Sequence, residues 1–565
     1  MENTVEEKLV RKDGQSDYPL PYVFPELNDW PLAKLGQDRE QFINQVCAHL
    51  IEKLTTSDRE GLLSERIAKV LYLERARIRS NPWRVDPPDD MDFWSDVKQK
   101  LLRHSLDQSD AIVAEKNKEL LERILRRYVV EIMGHFKVST YRLARKVLPI
   151  MFGTLLNTGR LFRKSRRLRQ RLKIVGEIGR VRSLLKKGTV VLVPTHFSNL
   201  DSILIGWSAD RIGLTAFSYG AGLNLYNSRV LAYFFRRLGA YTLDRRKKNA
   251  FYLEALKSFS QLTIERGIHT LFFPGGSRSR SGKLETKLKK GLLGTVVDAQ
   301  CCLYERKENT KIFVVPVVLN YHFVLEAKNL INQQLEREGK ELYLVEKKAF
   351  GGFWNLLKFF RKFFSAGSEA VVKYGQPLDV LGNFVNAQGD SLDQFGRKID
   401  IRDYFISEGQ LKMDKQRNAE YTKRLSRKIV ARYHIENVVL SSHLVAYVAF
   451  NILKKQFASL DLYGLLRLAR EDRIILKEVF QRNVERIRNQ LIEKEAQGVI
   501  GLSTIVRKGE VRTLIADGIK HVGTFHVKKA LKRDRKGDIS SEDVNLLYYY
   551  HNRLEGYDLA KYIEL

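Results

Sequence analysis

Apolar positions along this chain follow two rhythms. From about 37 to 79 they recur at helical spacing (Phe42, Val46, Leu50, then Leu62, Ile67, Val70 and Leu71), with a break at 55–58 that reads as a helix N-cap. The preceding stretch, to about 34, is polar and carries Pro19, Pro21, Pro25 and Pro31, which predicts a mobile or loosely packed lead-in. Residues 80–94 read as a linker, and 116–187 as basic helix. The rhythm then changes. Short β-branched runs at 190–194, 214–219, 270–274 and 312–319 alternate with helical ones at 201–209 and 250–267, and 371–380 reads as a last strand. From about 414 the pattern is helical again. It includes an apolar helix at 440–453 that is too short to span a bilayer and an aromatic-rich one at 546–557.

This alternation predicts an α/β fold, a mixed central sheet with flanking helices, between helical N-terminal and C-terminal regions. The expected domains are 1–115, a mostly helical region with the mobile lead-in; 116–385, a basic helical lead-in (116–187) followed by the α/β core (188–385); and 386–565, mostly helical. A chain of 565 residues is too long for a single ordinary core.

Charge narrows the class of partner. With 98 Lys+Arg against 66 Asp+Glu, the net charge of +32 calls for something anionic: nucleic acid, a membrane surface, or phosphorylated and acidic-carrier substrates. The cations are interspersed with apolar residues, which favours a membrane surface. The densest run, 160–173, lacks the aromatic interleaving of single-strand binders, so contact with headgroups or an acidic carrier is expected and no nucleic acid; a plain solvated helix face is the alternative. At 353–365 the side chains of Phe353, Leu356, Leu357, Phe360, Phe363 and Phe364, with Trp354 beside them, form one apolar stripe flanked by Lys358, Arg361 and Lys362. That pattern fits an interfacial helix, or equally a helix packed on the sheet. The N-terminus lacks the apolar core of a secretory signal, and no run reaches 18 apolar residues, so membrane contact is expected to be peripheral. Cys47, Cys301 and Cys302 offer neither a disulfide framework nor metal-ligand spacing, which fits a reducing compartment.

Candidate chemistry centres on 189–201, TVVLVPTHFSNLD. His196 falls at the mouth of the first strand of the core, and Ser198 or Asn199 is placed to cap a helix with Asp201 in its first turn. Asp201 then folds back toward His196. An imidazole held by a carboxylate on one nitrogen offers the other as a general base near neutral pH. A core histidine beside a helix-capping aspartate is the structural alternative. Downstream, FPGGSRSRSGK (273–283) follows another strand. A P-loop is excluded, because the spacing from Gly276 to Gly282 is one residue too long and Leu284 replaces the hydroxyl residue. The loop reads instead as an anion nest: backbone N–H groups of Gly276 and Ser277, with Arg278 as a bidentate fork. His322 and Glu326 have metal-like i, i+4 spacing, but two ligands are too few, and a structural role is expected.

These motifs stand in order with GAYTLDR (239–245), the stretch 221–241, and VVPVVLNYHFVLEA (314–327). Together they resemble the four motif blocks of the glycerolipid acyltransferases, most nearly the PlsB-type glycerol-3-phosphate acyltransferases. The resemblance implies His196 as base with Asp201 as its orienting partner, Arg245 and Arg278 as phosphate ligands with Gly276 and Ser277, and Pro316 in an acyl-chain wall. It implies acyl-CoA or acyl carrier protein as donor, glycerol 3-phosphate as acceptor, lysophosphatidate as product, and a peripheral position on the cytoplasmic face of a bacterial inner membrane. No metal or bound cofactor is implied. Two positions depart from the family. Gly275 stands where a glutamate is usual, and Phe197 where an arginine commonly follows the histidine. Dihydroxyacetone phosphate or a lysophospholipid is therefore an alternative acceptor, and a silent lipid-binding scaffold an alternative role.

Overall fold

The computed structural model describes residues 18–55, 63–80, 82–104, 110–155, 172–227, 229–337, 370–524 and 526–565. The expected interfacial helix, with Phe353, Trp354, Leu357, Phe360, Phe363 and Phe364, and nearly all of the basic run at 160–173 lie outside the described residues.

Among the described residues six helices come first: α1 (Pro31–Gln37), α2 (Arg39–Thr55), α3 (Leu63–Ser80), α4 (Asp90–His104), α5 (Asp110–Ile132) and α6 (Val138–Leu155). Then β1 (Leu172–Gly176), α7 (Ile178–Leu185), β2 (Gly188–Pro194), α8 (Asp201–Arg211), β3 (Ser218–Gly222), α9 (Arg229–Arg237), β4 (Ala240–Leu243), α10 (Ala250–Glu265), β5 (Thr270–Leu271), α11 (Lys290–Glu305), β6 (Lys311–Tyr321), α12 (Ala327–Arg337) and β7 (Ala370–Tyr374) build the core. The longer C-terminal helices are α13 (Lys415–Ile435), α14 (Ser441–Gln456), α15 (Lys477–Ala496), α16 (Val511–His521) and α17 (Val544–His551).

Seven strands form one mixed sheet in the order β1-β7-β6-β2-β5-β3-β4. Pairing is parallel throughout except between β6 and β7. The β2 strand lies at the centre, between β5 and β6, in register Val191↔Val314 and Val193↔Pro316. Its continuous apolar run suits a strand covered on both faces. Alternation sends Val190 and Leu192 into a core with α7, α8, α12 and the C-terminal helices, while Val191 and Val193 face α11 and α13. Helices α14 and α17 pack on one another, and α17 also packs on α12, so the C-terminal region rests directly on the core. No helix among the described residues is long and apolar enough to cross a membrane.

Two expectations meet a different arrangement. The proline-bearing lead-in, from Tyr18 on, is packed rather than loose: Leu20 and Val23 are buried against the core, and Trp30 is fully buried. Its extended backbone bonds to the end of α8, Leu20 N to Arg211 O and Val23 N to Gly213 O at 2.8 Å each, so prolines cost it no ladder. The boundary expected at 115/116 falls inside α5, whose Leu120, Leu121, Ile124 and Tyr128 join the N-terminal helices and α10 in one core.

Candidate active site

Strand β2 delivers His196 to the carboxyl edge of the sheet, where ligands of open α/β folds gather. Thr195 closes the strand, donating its N–H to Val317 O at 3.0 Å and accepting from Leu319 N at 3.1 Å. Asp201, wholly buried, is the first residue of α8. Its Oδ2 accepts from His196 Nδ1 at 2.8 Å and from the Phe197 and Ser198 amides at 2.6 and 3.0 Å, and its Oδ1 accepts from the Tyr321 hydroxyl at 2.6 Å. A carboxylate only accepts, so the proton lies on Nδ1 and Nε2 is the nitrogen free to take one from a substrate. Phe273 stacks on the imidazole, centroids 4.0 Å apart and planes 24° from parallel, which fixes the ring plane. The helix cap differs from expectation. Leu200 occupies the N-cap with no side-chain bond, while the Ser198 hydroxyl accepts from Leu200 N at 3.3 Å and donates to Glu326 Oε2 at 3.0 Å.

Glu326 is the junction between the first and third motifs. Besides Ser198 it accepts from Asn199 N at 3.2 Å and from Arg278 at 3.0 Å. The spacing that paired it with His322 in sequence is not used: His322 Nδ1 lies 3.0 Å from Ser442 Oγ in the C-terminal region.

Arg278 brings a cluster of cations to the same edge. Partial enclosure and then the Arg278 charge hold the Arg245 guanidinium below its usual pKa; Arg280 is lowered by enclosure, then by Arg337, Arg278 and Arg245. Cations gathered at one edge form a place for an anion. Among the described residues, no carboxylate offsets the charge of Arg245. Its neighbour Arg246 is a structural residue, tied to Asp244 and Asp86 and lying over Trp83 at 4.5 Å. The nest is narrower than expected. Gly276, at φ +76°, donates its N–H to Phe273 O at 2.9 Å within the turn, so that donor is engaged. Lys289 runs along the bare face of Gly276, where a Cβ would sit 3.2 Å from Nζ, and adds a cation that local pattern did not signal. Ser277 is half-buried in the same loop, and Pro316 is buried within β6 opposite Val193.

Both departures from the family motifs have a neighbour in space. The Glu285 side chain packs against the bare face of Gly275, where a Cβ would lie 3.1 Å from its Cγ and 3.2 Å from Oε1. The guanidinium of Arg553, after α17, lies 3.8 Å over the ring of Phe197.

A histidine–aspartate dyad and an arginine cluster share the open edge of a largely parallel sheet, and residues 173–320 match the Acyltransferase family model. Curated relatives narrow this: the chain is similar to several proteins named glycerol-3-phosphate acyltransferase. The one from Alteromonas mediterranea is 25% identical over 248 residues, 42% of this chain and 28% of the relative. That from Baumannia cicadellinicola is 28% identical over 256 residues, 45% and 28%, and that from a Shewanella species 26% over 323 residues, 57% and 36%. The chain thus matches at most 36% of the length of these relatives.

Proposed function

We propose that this protein transfers a fatty acyl group from an acyl-CoA or acyl carrier protein thioester to the sn-1 hydroxyl of glycerol 3-phosphate, giving lysophosphatidate. The observation that carries the reading is the dyad itself: a buried aspartate with four donors on it, aiming one histidine at the edge where the arginines collect. His196 Nε2 takes the hydroxyl proton as the oxygen attacks the thioester carbonyl. Asp201 stabilises the imidazolium, and on collapse of the tetrahedral adduct the C–S bond breaks and the thiolate takes the proton from His196. A thioester is already activated, so positioning supplies most of what remains. Arg245 and Arg278 hold the phosphate, with Ser277 and Lys289 at the same loop, and Pro316 belongs to the acyl-chain wall. The net charge of +32 and the amphipathic run at 353–365 support a peripheral position on an anionic membrane, the cytoplasmic face of a bacterial inner membrane.

The test is transfer from labelled palmitoyl-CoA and from palmitoyl acyl carrier protein by purified protein in liposomes. Glycerol 3-phosphate, dihydroxyacetone phosphate and a lysophospholipid are offered separately, with His196→Ala as control. Transfer to glycerol 3-phosphate, abolished by His196→Ala, is the expected result. Transfer only to another acceptor keeps the chemistry and moves the substrate, and none at all leaves a lipid-binding scaffold.

A further inference from the structure

We infer that Glu285 is a positioning residue for the main chain that carries His196, and that Gly275 is bare because this carboxyl group packs against it. The inference rests on the proposed acyl transfer for its kinetic readout but not for its geometry.

Four observations converge. Glu285 Oε1 accepts the backbone N–H of His196 itself at 2.9 Å, so it acts on the main chain that carries the base. A Cβ at Gly275 would stand 3.1 Å from Glu285 Cγ and 3.2 Å from Oε1. A side chain there would press on the Glu285 side chain, which would have to shift to admit it. The Glu285 stem is partly exposed, yet Oε2 is buried without a hydrogen-bond partner. Arg553, also buried, donates to Leu319 O and, at 2.9 Å, to Asn320 Oδ1, while its Nε and Nη1 are left without partners. Each charge registers on the other: burial raises the Glu285 carboxyl to about 7 against the pull of Arg553, and burial lowers Arg553 to about 10 against the pull of Glu285.

Burying unpaired donors and acceptors is costly, and such groups persist where they hold a functional geometry. The frame around them is consistent with that. Ser279 N donates to His196 O at 2.7 Å, and Asn552 Nδ2 to Ser281 O at 2.8 Å, so the loop carrying Arg278 is clamped between the base and the C-terminal segment. Of the other titratable groups facing Glu285, Asp201 opposes its ionisation, and Tyr433 has its pKa raised by burial first and then by Glu285.

The experiment compares Glu285→Ala, Glu285→Gln, Glu285→Gly and the exchange Gly275→Glu/Glu285→Gly in the full chain, by kcat and KM and by the rate at which diethyl pyrocarbonate modifies His196, read by peptide mass spectrometry. A displacement of the base by about 1 Å predicts a fall in kcat of roughly a hundredfold for Glu285→Ala with KM for glycerol 3-phosphate little changed. Glu285→Gln keeps the Oε1 acceptor and retains most of kcat, and the exchange is more active than Glu285→Gly alone. The rate of His196 modification changes in Glu285→Ala and not in Glu285→Gln, while that of the other histidines stays the same. A Glu285→Ala protein with normal kcat and normal His196 modification overturns the inference, as does an exchange variant that folds but is no better than Glu285→Gly. If the unaltered protein acylates nothing, the proposed function fails, and the modification rates still decide the positioning.

Discussion

Replacing Asp201 with asparagine separates the charge of the dyad from its shape. The amide oxygen can occupy the Oδ2 position, keeping the donors from His196 Nδ1, Phe197 N and Ser198 N, while its NH2 turns to Tyr321, whose hydroxyl accepts as well as donates. Each of three charge-assisted bonds becomes a neutral one, a loss of about 1 kcal/mol apiece, so stability falls by about 2–3 kcal/mol without loss of the fold. Catalysis loses more. The imidazolium formed as the hydroxyl is deprotonated has its counter-charge 2.8 Å away. At an effective dielectric near 20 a pair this close is worth about 6 kcal/mol, on the order of ten-thousandfold in kcat. The phosphate ligands are untouched, so KM for glycerol 3-phosphate stays within about twofold. Initial rates over a range of glycerol 3-phosphate, with circular dichroism to verify the fold, measure both. A folded Asp201→Asn protein with kcat within fivefold of normal refutes the reasoning, because the carboxylate would then not be stabilising a charge on His196.

Adjacent arginines give a sharper contrast. Arg245→Ala is expected to raise KM for glycerol 3-phosphate at least about tenfold at unchanged melting temperature, the loss of one charge-assisted contact, whereas Arg246→Ala takes the guanidinium from both Asp86 and Asp244, leaves Asp86 with Arg77 and the Trp83 amide, and destabilises by about 2 kcal/mol. Gly282, at φ +82°, packs so that a Cβ would lie 2.2 Å from Tyr549 O; Gly282→Ala is expected to cost at least about 2 kcal/mol in urea unfolding by parting the loop from α17. The Glu285 carboxyl, raised by burial from 4.5 to about 7, keeps a proton in the native state that the unfolded chain has lost. Its contribution to stability is therefore full below pH 4.5 and lost as pH rises to about 7, a change of about 3 kcal/mol. Glu285→Gln, which cannot ionise, should match the unaltered protein in stability near pH 4.5 and exceed it at pH 8; equal stability at both pH values would show the carboxyl is not buried as described.

Local pattern was enough for the elements that carry the dyad. A β-branched run closed by proline becomes β2, and a helix begins at Asp201, because both signals lie within a dozen residues and depend on backbone preferences that act locally. The same is true of the α/β alternation, whereas Arg245 is marked only by the motif resemblance. Pattern misled where a side chain had a partner elsewhere: Ser198 was placed as a cap but also bonds Glu326, and Glu326 was set beside His322 but holds Arg278. The prolines of the lead-in suggested looseness, yet the segment is buried against α8. Tertiary structure alone brought Tyr321 to Asp201, 120 residues away, Glu285 to the His196 amide, 89 residues away, and Arg553 over Phe197. A lone glutamate or arginine far along a charged chain has no periodicity to mark it. Its role is set by which face of which element it meets once the sheet is wound, and the gap at Gly275 that the sequence displays as a missing carboxylate is, in the folded molecule, the bare face against which Glu285 packs.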